Sequence, residues 1–142
     1  MNPRQSGATL IEFALVLLLF LMFTLGLMDF ARMLFTWNAA NEATRAGARY
    51  AVVCDDTTNL AAVRTRMQQM VPQITSVALA WNPVGCTAAT CEGVTVTITG
   101  LNFRWISPVP GFVARNIPMP TFSTYLTREV MRQDPNSAAI CS

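Results

Sequence analysis

The stretch Gly7-Ala8-Thr9-Leu10-Ile11-Glu12-Phe13-Ala14-Leu15-Val16-Leu17-Leu18-Leu19-Phe20-Leu21-Met22-Phe23-Thr24-Leu25-Gly26-Leu27-Met28-Asp29 decides the fold. Sixteen uncharged residues run without a break from Phe13 to Met28. With residues 8–12 they make a helix of about 31 Å, close to the roughly 30 Å hydrocarbon core of a bilayer. That length spans a membrane provided the Glu12 carboxylate is accommodated. The seven residues in front, MNPRQSG, are polar, carry one charge at Arg4, and include Pro3 and Gly7 as helix-breaking residues. Residues 1–7 therefore read as a leader and residues 8–28 as a transmembrane segment.

Outward from this stretch, nothing stops the helix at Asp29. Proline is absent from residues 8–71, and residues 29–53 are rich in Ala, Leu, Met and Arg. A continuous helix over 8–53 would be about 69 Å long. Beyond residue 28 it turns amphipathic: Phe30, Met33, Leu34, Trp37, Ala40, Thr44, Ala48 and Ala51 project onto one face, and Glu42, Arg45 and Arg49 onto another. Ala39, Ala40, Ala43, Ala46, Gly47, Ala48 and Ala51 leave a smooth surface that admits a close neighbour, here the chain's own sheet.

The turn-forming cluster Asp55-Asp56-Thr57-Thr58-Asn59 predicts a break and an N-cap for a second helix over 60–71, closed by Pro72. Residues 74–81 (ITSVALAW) and 94–101 (VTVTITGL) are rich in β-branched side chains, and Val94, Val96 and Ile98 alternate onto one face. The Pro-rich stretch 107–120 reads as an irregular loop, residues 122–131 (FSTYLTREVM) as a third strand, and the tail after Gln133 as extended. The expected fold class is α+β. A long N-terminal helix and a short second helix pack against a small antiparallel sheet of three or four strands, with residues 54–142 forming the head.

Composition supports one ordinary domain carrying one membrane-grade segment. Of the 142 residues 52% are hydrophobic, and mean hydropathy is +0.36. The surplus is local, because 17 of the 21 residues from 8 to 28 are hydrophobic and only 57 of the other 121, about 47%, which is ordinary globular composition. A net charge of +2, with all ten cations being Arg spread singly along the chain, offers no nucleic-acid footprint. The absence of His removes the commonest general base and metal ligand. Gly-rich phosphate loops, nucleophile elbows and metal motifs are also missing, so the expectation is a protein that is not an enzyme and takes no cofactor.

Glu12 is the informative exception. A charge at the centre of a spanning helix costs about 2.5 to 3.5 kcal/mol on insertion scales, and less near the interface. One reading leaves the carboxylate solvated at the headgroup boundary. The other gives it a function: Gly7-Ala8-Thr9-Leu10-Ile11-Glu12-Phe13, followed at once by the apolar run, resembles the processing signal of a type IV pilin precursor. The resemblance implies that a prepilin peptidase cuts between Gly7 and Ala8, leaving Glu12 as the fifth residue. The α-ammonium freed at Ala8 can then pair with Glu12 of a neighbouring subunit and set the register of a helical bundle. Phe13 directly after Glu12, the short leader, Gly26-Leu27-Met28-Asp29-Phe30-Ala31-Arg32, and Asn41-Glu42-Ala43-Thr44-Arg45-Ala46-Gly47-Ala48-Arg49-Tyr50-Ala51 narrow this to the TadE family, the minor pilins or pseudopilins of tight-adherence (Flp) pili. The resemblance is clear over residues 6–53 and weaker along the strands. The loop holding Cys86 and Cys91 has no counterpart in it.

Cys54, Cys86, Cys91 and Cys141 all follow the apolar run. With the leader retained inside the cell they fall on the extracytoplasmic side, where disulfides persist. Four thiols admit three connectivities. The favoured one joins Cys86 to Cys91, closing a short loop, and Cys54 to Cys141, stapling the tail to the end of the long helix. A zinc site built from all four is disfavoured, because Cys54 and Cys141 form no second knuckle.

The resemblance thus implies a minor pilin of a Tad/Flp type IV pilus, anchored in the inner membrane with its N-terminus cytoplasmic and its head extracytoplasmic. It would take part in pilus assembly, initiation or tip capping, and so in adhesion. Its partners would be other minor pilins, the major Flp-type pilin, the prepilin peptidase and the inner-membrane assembly platform. The alternative is a membrane-anchored or secreted periplasmic binding or scaffold domain. An ordinary signal peptide fits less well, since the apolar run exceeds the usual 7 to 15 residues.

Overall fold

The computed structural model describes residues 5–54, 60–87, 89–107, 116–128 and 141. Helix α1 (Gln5–Val53) is followed by α2 (Leu60–Gln68), β1 (Ser76–Asn82), β2 (Gly93–Gly100), β3 (Asn102–Arg104), β4 (Asn116–Pro118) and β5 (Phe122–Thr127). The class is α+β, with a long apolar helix, a short second one, a three-stranded antiparallel sheet in the order β1-β2-β5, and a separate β3–β4 pair. The 49 residues of α1 extend about 73 Å.

The helix starts at Gln5 rather than Ala8, so Gly7 lies inside its first two turns. Every residue from 7 to 23 is exposed, and the head packs only on the outer part of α1. There Ala40, Ala43, Thr44, Ala48, Ala51 and Val52 are buried. The small side chains bring the sheet close enough for the Thr44 and Thr124 hydroxyls to share a hydrogen bond of 2.8 Å. The apolar face projected from sequence begins too early: Phe30, Leu34 and Trp37 stay largely exposed, because the sheet first reaches the helix where Trp37 meets Phe122 edge-on at 5.0 Å.

Period-two alternation arranges the sheet. The register aligns Val77, Ile98 and Phe122 in one row, Leu79, Val96 and Thr124 in the next, and Trp81, Val94 and Leu126 in a third. Val94, Val96 and Ile98 on the central strand are fully covered. Because Phe122 meets Trp37 while Thr124 meets Thr44, β5 runs outward along α1. The β1–β2 connection, with Gly85 at a φ of 79°, therefore lies at the far end of the head.

Helix α2 buries Val63 and Met67 against α1. It ends at Gln68, three residues short of the expected limit. The N–H groups of Met70 and Val71 both turn back to the Met67 carbonyl, and the Gln68 amide donates to the Ile74 carbonyl at 2.8 Å. The β3–β4 pair replaces part of what read as irregular loop, since Asn116–Pro118 falls inside the Pro-rich stretch. The third strand ends at Thr127. The cap cluster 55–59, most of the loop 107–120, residues 129–131 of that strand and the tail before Cys141 lie outside the described residues. Disulfides join Cys54 to Cys141 and Cys86 to Cys91, with Cα atoms 5.5 and 5.0 Å apart.

Candidate functional site: the helix N-terminus and the helix–head junction

Two places on α1 carry charge where apolar side chains dominate. At the N-terminal end, Gly7, Ala8, Glu12 and Phe13 lie on consecutive exposed turns. A Cβ built on Gly7 would meet nothing within 4 Å. Gly7 and Ala8 lie in the first turn of α1, where the leading N–H groups of a helix lack intrahelical acceptors. Among the described residues no ion pair or hydrogen bond reaches Glu12. Phe13 is 67% exposed. From here α1 is long and apolar enough to cross a membrane, with an 18-residue window of mean hydropathy 2.6, none of it buried. One N-terminal helix of this kind is consistent with a single-pass membrane anchor.

The second place is Asp29, which the sequence marks only as the end of the apolar run. It is buried at 2% exposure and is the centre of a polar clamp. Its carboxylate accepts the N–H of Ser107 at 2.7 Å and that of Ile106 at 3.1 Å, and Arg32, one turn along, pairs with it at 2.7 Å. The Arg32 guanidinium also lies 5.5 Å from the ring centroid of Phe103, which stacks edge-on with Trp105. Burial by itself pushes the Asp29 carboxyl up. The hydrogen bonds from Ser107, Ile106 and Arg32 outweigh it and hold the group below its ordinary value. The clamp thus ties the end of β3 to the first residue beyond the apolar run. An Asp closing such a run with Arg at i+3 was the available signal, but its partners lie 77 and 78 residues away.

Arg45 pairs with Glu42 at 2.9 Å on the exposed face, beside an open groove between α1 and α2 that Arg49, Tyr50, Arg66 and Met70 also line. All four cysteine sulfurs are held in disulfides. Among the described residues no three His, Cys, Asp or Glu side chains come together as a metal site.

Fold and charge placement together define a small α+β protein on a single exposed apolar helix. Residues 7–49 match the family model described as TadE-like protein, the family that the Gly7–Glu12 signal and the small-residue helix resemble. The match points to a protein associated with Tad pili, and it ends on α1 before the head begins. No curated protein and no solved structure matches the chain.

Proposed function

We propose that the chain is a minor pilin, or pseudopilin, of a Tad/Flp pilus, with a structural role in assembly. Residues 1–7 are the leader, 8–28 the transmembrane part of α1, 29–53 its extracytoplasmic part and 54–142 the head. The observation that carries this reading is the placement of Gly7, Ala8 and Glu12 on an exposed helix end, leading a TadE-like apolar segment that the chain's own fold leaves uncovered.

A prepilin peptidase on the cytoplasmic side cuts between Gly7 and Ala8, in the first turns of the helix where backbone pairing is weakest. The new α-ammonium at Ala8 and the carboxylate of Glu12 lie four residues apart, about 6 Å along the axis. A neighbour shifted by that distance brings amine and carboxylate together in a bundle where neither is well hydrated, and Phe13 packs beside them. The neighbours are other minor pilins and the major Flp-type pilin, on the inner-membrane platform. The disulfides hold the head rigid outside the cytoplasm.

Gly7→Val tests this cleanly, because the open space around Gly7 lets the fold tolerate a side chain while the peptidase's recognition is lost. Mass spectrometry of the mature chain is expected to find Ala8 at the N-terminus of the native protein and the unprocessed precursor in the variant. Normal cleavage and normal pili in Gly7→Val would overturn the reading. A native terminus near Leu27 would instead show a secreted domain, and an intact Met1 or Asn2 an uncleaved anchor.

A further inference from the structure

We propose that the end of the β3–β4 pair is a foot on which the head rests against the bilayer, with Ile106 inserted at the lipid boundary. This placement rests on α1 crossing that bilayer.

The geometry follows from Asp29. The apolar run ends at Met28, and the carboxylate of the very next residue binds the backbone N–H groups of Ile106 and Ser107. Residues 8–28 rise about 31 Å, which matches the hydrocarbon thickness and puts Met28 at its edge. Ile106 is held at the same level by its backbone N–H, which donates to the Asp29 carboxylate. It is 70% exposed, and Leu27, Met28 and Phe30, at the same height on other sides of the helix, are at least half exposed. The apolar band of α1 therefore extends to the level at which this part of the head meets the helix, and Ile106 adds an exposed apolar side chain there.

Polar groups match the same boundary. Arg104, exposed on β3, and Arg32, on the next turn of α1, stand at the depth of lipid phosphates. Trp105 lies between Arg104 and Ile106 in sequence, at the level where tryptophan concentrates in membrane proteins. The occupant is the bilayer rather than another protein, because the patch is continuous with the surface that lipid already covers.

Single-tryptophan chains in phosphatidylcholine vesicles test the placement. Trp37, Trp81 and Trp105 are replaced by Phe, and one Trp is introduced by Ile106→Trp, Leu19→Trp or Val84→Trp. Val84 is 97% exposed at the far end of the head. Lipids brominated near the headgroup are expected to quench Trp at 106 several-fold more than at 84, and lipids brominated near the chain ends to quench Trp at 19 most. If Trp at 19 is quenched and Trp at 106 behaves like Trp at 84, the foot is wrong while the anchor stands. If Trp at 19 is not quenched either, the anchor itself fails and the foot with it. The chain keeping only native Trp105 gives the same readout should Ile106→Trp fail to fold, and an unquenched Trp105 would count against the foot.

Discussion

Asp29 shows how one side chain can hold a fold at its weakest place. The Ile106 and Ser107 N–H groups hold the 105–107 segment to this carboxylate, and Arg32, on the helix itself, balances its charge. Asp29→Asn keeps the shape but removes the charge that both backbone N–H groups and Arg32 complement. The folded carboxyl titrates below its unfolded value of about 4, so its contribution is complete above that pH and is lost as pH falls through the folded value. Thermal unfolding midpoints measured against pH are therefore expected to lie lower for Asp29→Asn at neutral pH. The gap to the native protein should close in acid below about pH 4. A constant gap across the range would mean that shape, not charge, sets the effect.

At the scale of elements, the seam between α1 and α2 depends on what Gly47 lacks. A Cβ there would sit 2.7 Å from the Met67 sulfur and 3.4 Å from Val63. Gly47→Leu should cost about 1 to 3 kcal/mol by overpacking. Met67→Ala should cost about 2 to 5 kcal/mol by leaving a cavity. Together they are expected to cost less than their sum, because the leucine fills the space the methionine vacates, and denaturant unfolding of the four chains measures the coupling.

Alternation at Val94, Val96 and Ile98 and the Pro-free run of α1 are periodic over many residues, and both elements form. The β3–β4 pair is three residues against three, too short to show a period, and its second strand, which contains a proline, lies in the stretch that reads as loop. Phe30, Leu34 and Trp37 carry the right spacing for a buried face. The spacing says which face is apolar but not how far down the helix the head extends. The family resemblance over residues 7–49 was legible because it depends on local order alone. The Asp29 clamp was not, since half of it comes from residues 77 and 78 positions further along the chain.

At the scale of the whole molecule, the two disulfides do unequal work. Cys86 and Cys91 close a loop with a separation of 5, Cys54 and Cys141 one of 87. On the chain-entropy account they contribute about 2 and about 4.5 kcal/mol by restricting the unfolded chain. Replacing Cys54 and Cys141 by Ser should therefore lower the free energy of unfolding by more than twice as much as replacing Cys86 and Cys91. Equilibrium denaturation of the two double variants checks the ratio, and equal losses would show that loop length is not what matters here.

The long bond also settles where a reporter belongs. Cys54 stands some 46 residues up a rigid rod from Ala8, about 69 Å at helical rise, and Cys141 is fastened beside it. A fluorophore or epitope placed next to Cys141 thus rides at the head end of α1, far along the helix from residue 8.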